Sequence, residues 1–123
     1  MKMKNTLVIG ASNKPQRYSN RAIHMLSDAG HPVQAYGLRA GEVAGISIHT
    51  DQAEISSEEV DTVTLYVGPQ NQAGLLDWLT ELKPSRVIFN PGTENPPLAK
   101  ALKSQDIETI EACTLVMLST RQY

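Results

Sequence analysis

Apolar residues along the chain fall into two alternating rhythms. Leu7-Val8-Ile9 is a short, continuously apolar run, as expected of a strand covered on both faces. Ala22, Met25, Leu26 and Ala29 then follow the i, i+3, i+4, i+7 spacing of an amphipathic helix, and Gly30 is its natural stop. Val33-Gln34-Ala35-Tyr36 reads as a second strand after His31-Pro32, which completes a strand, turn, helix and strand of βαβ length. The glycine-rich stretch Gly37–Gly45 is expected to be loop, with Ile46-Ser47-Ile48 a short edge segment or hairpin arm. Thr50–Asp61 is acidic and weakly patterned, with at most a helical turn around Ser57-Glu58-Glu59.

The second half repeats the alternation. Val63–Val67 is rich in β-branched residues and predicts a strand ended by Gly68-Pro69. From Asn71 a helix places Leu75, Trp78, Leu79 and Leu82 on one face and closes at Pro84. Arg86-Val87-Ile88-Phe89 predicts a further buried strand and Asn90-Pro91-Gly92-Thr93 a turn. Pro96-Pro97 opens a helix carrying Leu98, Ala101 and Leu102, and Thr109-Ile110 is the centre of a last short strand. The terminal Cys-Thr-Leu-Val-Met-Leu run either extends that strand or forms a small closing helix. No internal repeat or low-complexity segment interrupts the alternation. It predicts a Rossmann-like, doubly wound α/β fold: a mostly parallel sheet of about five strands with helices on both faces.

Composition narrows the class. The 123 residues suit one domain, residues 1–123, and 41% hydrophobic with 20% charged residues is ordinary for a globular chain. The single cysteine, Cys113, excludes an intrachain disulfide. No apolar stretch reaches signal-peptide or membrane-spanning length, so a cytoplasmic location is expected, with no membrane partner. The net charge of -2 hides an asymmetry, because residues 1–41 carry Lys2, Lys4, Lys14, Arg17, Arg21 and Arg39 against Asp28 alone. Lys2 and Lys4 read as a solvated terminus; the other cations favour an anionic ligand near the first loop. A pI of about 5.9 and few aromatic residues argue against nucleic acid.

In a doubly wound sheet, ligands sit beyond the carboxyl ends of the strands, so the loops after the strands are the candidate site. The first runs within Thr6–Arg21. It has Gly10 for close backbone approach, Ser12 and Ser19 as hydroxyl donors or caps, and Lys14 and Arg17 as cations. It is neither the three-glycine dinucleotide fingerprint, since no glycine follows until Gly30, nor a Walker A loop. A purely structural reading gives Gly10 the turn alone and Ser19 or Asn20 the helix cap. After the second strand, Gly37-Leu38-Arg39 offers an arginine where NAD-binding proteins place an acid. An arginine suits a phosphate on the adenosine ribose, which NADP carries at the 2′ position and coenzyme A at the 3′ position.

The residues Val8-Ile9-Gly10-Ala11-Ser12 with Lys14-Pro15, Arg17, Ser19 and Arg21 match a known pattern, continued by Glu42-Val43-Ala44-Gly45-Ile46, Gly68-Pro69, Asn90-Pro91-Gly92 and Cys113. On these the chain resembles the coenzyme A-binding domain proteins, stand-alone relatives of the N-terminal domain of the succinyl-CoA synthetase alpha subunit. The resemblance implies a coenzyme A or acyl-CoA binding module with the ligand across the carboxyl edge of the sheet. It implies contacts from Gly10, Ala11, Ser12, Lys14, Pro15, Arg17, Tyr18, Ser19 and Asn20 near the pyrophosphate, and from Gly37, Leu38 and Arg39 near the adenosine. Val67, Gly68, Pro69, Asn71 and Gln72 would border the ligand, and Asn90 and Gly92 would flank the pantetheine exit. The family commonly has Asn-Pro where this chain has Gly37-Leu38.

Catalytic chemistry has little to stand on. His24, His31 and His49 lack spaced partners and read as structural or solvated, so no metal site is expected. Cys113 could exchange with a coenzyme A thiol, but reads more simply as a small buried hydrophobe. Glu58-Glu59 reads as a solvated face. The alternatives to coenzyme A are a small NADP-dependent oxidoreductase or subunit, and a degenerate Rossmann domain for protein interaction, whose partner the residues do not identify.

Overall fold

The computed structural model describes residues 3–58 and 60–123. Lys2 and Glu59, which enter the sequence reading, lie outside the described residues. Five elements fill the first half: β1 (Thr6–Ile9), α1 (Tyr18–Asp28), β2 (Val33–Tyr36), β3 (Gly41–Val43) and β4 (Ile46–His49). The second half contains β5 (Thr62–Leu65), α2 (Leu75–Leu82), β6 (Arg86–Phe89), α3 (Pro96–Lys103), β7 (Glu108–Glu111) and α4 (Thr114–Ser119).

These strands form a seven-stranded sheet in the order β3-β4-β2-β1-β5-β6-β7. All neighbours are parallel except the β3–β4 hairpin. The chain winds outward from β1 through β2 to β4, returns to the other side of β1 at β5, and continues outward through β6 to β7. The strand order thus reverses between β1 and β5. This is a Rossmann-like α/β fold.

Alternation along the strands divides the core. Leu7, Ile9, Val63, Leu65, Val87 and Phe89 pack with Leu75, Trp78, Leu79, Leu98 and Leu102 of α2 and α3. Val8, Ala35 and Ile48 face the opposite way, against Ile23 and Leu26 of α1 and Leu118 of α4. Because β1 and β5 are covered on both faces, Leu7, Val8, Val63 and Leu65 are all fully buried.

Several expectations are corrected. The sheet has seven strands rather than about five, because Gly41–Val43, read as loop, pairs antiparallel with Ile46–His49. Ala44 and Gly45, both at positive φ, make the tight turn between them. Its apolar signal is a single buried residue, Val43, too little to betray a strand in sequence. The short helical turn of the acidic stretch lies at Gln52–Glu54 rather than around Ser57–Glu58, because Asp51 accepts from the Ala53 N–H and caps it. α2 begins at Leu75, not Asn71; Pro69–Asn71 forms a separate 3₁₀ turn and Gly74 adopts the left-handed conformation between them. β5 runs Thr62–Leu65, shifted towards its amino end relative to Val63–Val67. The terminal apolar run takes the helical option, as α4.

Candidate functional site

At the end of β1 the chain must turn tightly beside the neighbouring strand ends. Gly10, at φ 95°, makes that turn; a Cβ there would stand 2.9 Å from the Tyr66 carbonyl carbon. Its N–H and that of Ala11 both donate to Tyr36 O at 2.9 Å, which fastens the loop to the end of β2. Gly37 is packed still more closely from the other side, its would-be Cβ 2.3 Å from Ala11 O. Only hydrogen fits at either position, and the two glycines let three strand ends meet.

Beyond Gly10 the loop is held by its own polar groups. Lys14 N–H donates to Ser12 Oγ at 3.1 Å, Arg17 N–H to Lys14 O at 3.0 Å, and Asn20 Nδ2 to Ser12 O at 3.0 Å. Ser19 and Asn20 do not cap α1, contrary to the structural reading of that loop. The helix starts earlier, with Arg17 at the cap position, and both side chains are buried in the first turn. No side chain caps α1 and no acidic residue occupies its first turn. Its N-terminus therefore keeps a partial positive charge uncompensated by side chains.

Around this turn the cations stand in solvent: Lys14, Arg17, Arg21 and Arg39 are all exposed. Pro15 and Tyr18 are exposed beside them, Tyr18 with the Arg21 guanidinium 5.5 Å from its ring centroid. Leu38, at the tip of the loop after β2, is 98% exposed, next to Arg39. Asn13 lies against Gly41 of β3, so the hairpin whose first arm was read as loop forms one wall of the loop after β1.

Across the switch point, the loops after β5 and β6 are joined by a buried polar network. Asn90 is 2% exposed, and its Nδ2 donates to Thr64 Oγ1 at 2.7 Å and Leu65 O at 2.8 Å. Its Oδ1 accepts from Thr114 N–H at 2.8 Å, while the Thr64 and Thr114 hydroxyls bond each other at 2.8 Å. Gln72 Nε2 donates to Val67 O at 3.0 Å and Thr93 O at 2.8 Å, and its Oε1 accepts from Asn95 Nδ2 at 2.9 Å. The side chains of Asn90 and Gln72 are thus occupied inside the protein. They shape the loops carrying Val67, Gly68, Pro69, Asn71 and Gly92; of these Pro69, Asn71 and Gly92 are exposed, and Val67 and Gly68 are half-buried.

Thr64 and Thr114 are the residues missed by the sequence reading. Their only signal was a threonine inside an otherwise apolar strand and another just before the terminal helix. Tyr66, directly after β5, places its hydroxyl beside them, buried and without a hydrogen-bond partner. Burial pushes its pKa up to about 12, while the nearby Thr114 and Thr64 hydroxyls, engaged with each other and with Asn90, pull against the shift. Cys113, expected to be buried, is half-buried at the cap position of α4.

The reversal of strand order at β1 and β5, with an open helix N-terminus and cations beyond the strand ends, defines a Rossmann-like protein with its candidate ligand edge at the carboxyl ends. The particular family follows from its sequence: the CoA binding domain model matches residues 4–119, and the chain belongs to that family. A crystal structure of an uncharacterized protein is similar at 45% identity over 100% of both chains, with a TM-score of 0.95. Cell-free ID.343 from Thermus thermophilus shares the fold at 23% identity, covering 98% of this chain and 91% of its own, with a TM-score of 0.86. A dinucleotide-forming acetyl-coenzyme A synthetase from Ca. Korarchaeum cryptofilum, solved with phosphate and ADP, shares it over 89% of this chain and 26% of its own, at 16% identity and a TM-score of 0.72. No curated protein matches. No helix among the described residues is long and apolar enough to cross a membrane.

Proposed function

We propose that this chain is a coenzyme A or acyl-CoA binding module whose ligand lies along the carboxyl edge of the sheet. The observation that carries the reading is the uncapped α1 N-terminus behind Gly10, with Lys14 and Arg17 beside it, in a member of the CoA binding domain family. The pyrophosphate sits over Gly10–Asn20, drawn by the helix dipole and the two cations. Arg39 takes the 3′-phosphate and Leu38 gives the adenine an apolar surface, in place of the Asn-Pro common in the family. Pro69, Asn71 and Gly92 border the pantetheine, whereas Asn90 and Gln72 act by holding those loops rather than by touching the ligand.

Thermal unfolding with coenzyme A, 3′-dephospho-CoA, NADP and NAD at equal concentration tests this, because a ligand of the folded state raises its apparent stability. Coenzyme A gives the largest shift, and loss of its 3′-phosphate weakens binding by about tenfold, the scale of one charge-assisted hydrogen bond. Arg39→Ala removes that preference. A shift with NADP and none with coenzyme A refutes the proposal; equal shifts with coenzyme A and its 3′-dephospho form refute the role of Arg39.

A further inference from the structure

Arg39 stands on a loop bounded by two glycines, and neither owes its glycine to a left-handed turn. Gly37 and Gly41 both lie outside the positive-φ region, so their backbone would suit an ordinary side chain. What excludes one is the loop after β1. A Cβ on Gly37 would stand 2.3 Å from Ala11 O, and a Cβ on Gly41 would stand 3.2 Å from Asn13 Nδ2, 3.3 Å from its Cβ and 3.4 Å from its Cγ. Glycine in a strand gives up side-chain packing and conformational entropy, and the close approach of another segment is a reason to have it there. The approaching segment is the same at both ends of Leu38-Arg39-Ala40.

Strand order explains the arrangement. Because β4 lies between β2 and β3, the chain leaving Tyr36 arches over the carboxyl end of β4 before it enters β3 at Gly41. One foot of the arch is fastened by Gly37 N–H, which donates to His49 O at 3.0 Å, and the other by the pairing of Gly41 with Ile48. Leu38, Arg39 and Ala40 between the feet are all exposed, so the seating of the two ends is what orients them. Asn13 reaches Gly41 from a loop that starts at β1, past the ends of β2 and β4. Asn13 is itself exposed and directly precedes Lys14, one of the two cations beside the α1 N-terminus.

We propose that Asn13 is a positioning residue for Arg39. Its side chain, seated on Gly41, holds the arch against the loop after β1, so that Arg39 and the α1 N-terminus meet two phosphate groups of one ligand at a fixed spacing. The proposal rests on the coenzyme A reading and makes the preference for a ribose phosphate depend on the contact between Asn13 and Gly41 as well as on Arg39. Asn13 acts by shape, through the arch, and touches no phosphate. With that contact gone, the arch keeps its seat at Gly37 and loses the one at Gly41. The ligand must then order the arginine as it binds, which offsets part of what the 3′-phosphate contact contributes.

Titration calorimetry with coenzyme A and 3′-dephospho-CoA tests this. The wild type prefers coenzyme A by about tenfold; in Asn13→Ala the preference falls to about threefold, while the affinity for 3′-dephospho-CoA changes by less than about twofold. Gly41→Ala, which pushes Asn13 aside from the other partner, has the same effect. Adding Asn13→Ala to Arg39→Ala changes the preference no further, because Asn13 acts through Arg39. Asn13→Leu, close to asparagine in shape, keeps the preference. In the ligand-free protein Asn13→Ala lowers the amide order parameters of Arg39 and Ala40, a change that a general loss of stability would not confine to the arch. An unchanged preference in Asn13→Ala overturns the proposal and leaves the coenzyme A reading standing. An equal loss for both ligands, or a loss in Asn13→Leu as large as in Asn13→Ala, also overturns it, since the amide would then touch the ligand itself. A wild type that binds neither ligand overturns the coenzyme A reading and this proposal with it.

Discussion

Removing the Asn90 side chain takes out the centre of the polar network behind the ligand edge. Asn90→Ala breaks three hydrogen bonds: those from Nδ2 to Thr64 Oγ1 and Leu65 O, and that from Thr114 N–H to Oδ1. Thr64 and Thr114 keep their mutual bond, so the main loss falls on the orphaned Leu65 carbonyl and Thr114 N–H. An unmatched buried group costs about 1 to 3 kcal/mol, which places the whole substitution at about 3 to 5 kcal/mol. With a urea slope of about 2 kcal/mol per molar, the unfolding midpoint falls by about 2 M, with the slope unchanged. Urea titration followed by Trp78 fluorescence reads this directly. Thr64→Val removes one of the same acceptors, so the double variant loses less than the sum of the two single losses. A fall of less than about 1 kcal/mol, together with clearly weaker coenzyme A binding, would refute the reasoning, because Asn90 would then serve the ligand rather than the loops.

Two further outcomes follow from contacts elsewhere. Gly37→Ala forces a methyl to within 2.3 Å of Ala11 O, backbone that cannot rotate away, and lowers stability by about 1 to 3 kcal/mol in the same urea assay. The acid side of the stability profile depends on His31, whose pKa is lowered first by burial and then by Lys4 and Arg86, with Asp61 pulling the other way and Tyr123 packed on the ring. A folded pKa below the unfolded value of 6.5 means that protonation favours the unfolded chain. Stability from this group is complete above that pH and declines as pH falls through the folded value; in His31→Gln the decline over this range is shallower. Urea midpoints measured from neutral pH down to about pH 4 check it, and parallel profiles for the two proteins would contradict the assignment.

The central architecture was legible because burial on both faces writes itself as unbroken apolar runs. Leu7-Val8-Ile9 and Arg86–Phe89 needed nothing else, and Pro96-Pro97 marked the start of α3. The β3 strand was not legible, since an edge strand of three residues burying only Val43 has no period to detect. The cap position at Arg17, rather than at Ser19 or Asn20 as the structural alternative had it, was not legible for a related reason. Ser19 and Asn20 are good cap residues by type, but which turn of a helix a polar residue occupies depends on the tertiary bond it makes, here from Asn20 to Ser12 O. The same holds for Asn90 and Gln72: sequence brings them to the ligand edge, while only the fold shows their side chains turned inward.

The position of β1 has a consequence for how the chain emerges during synthesis. β1 is made before β5, yet one of its edges pairs with β5, over Thr62 to Leu65. Until those residues leave the ribosome, one edge of the apolar Leu7-Val8-Ile9 run is open, exposing main-chain donors and acceptors to any other nascent chain. Leu7-Val8-Ile9 is therefore a segment in need of a chaperone's shelter during translation, and the loop that follows it, packed at Gly10 against Tyr66, cannot reach its final form until β5 and Tyr66 have been made.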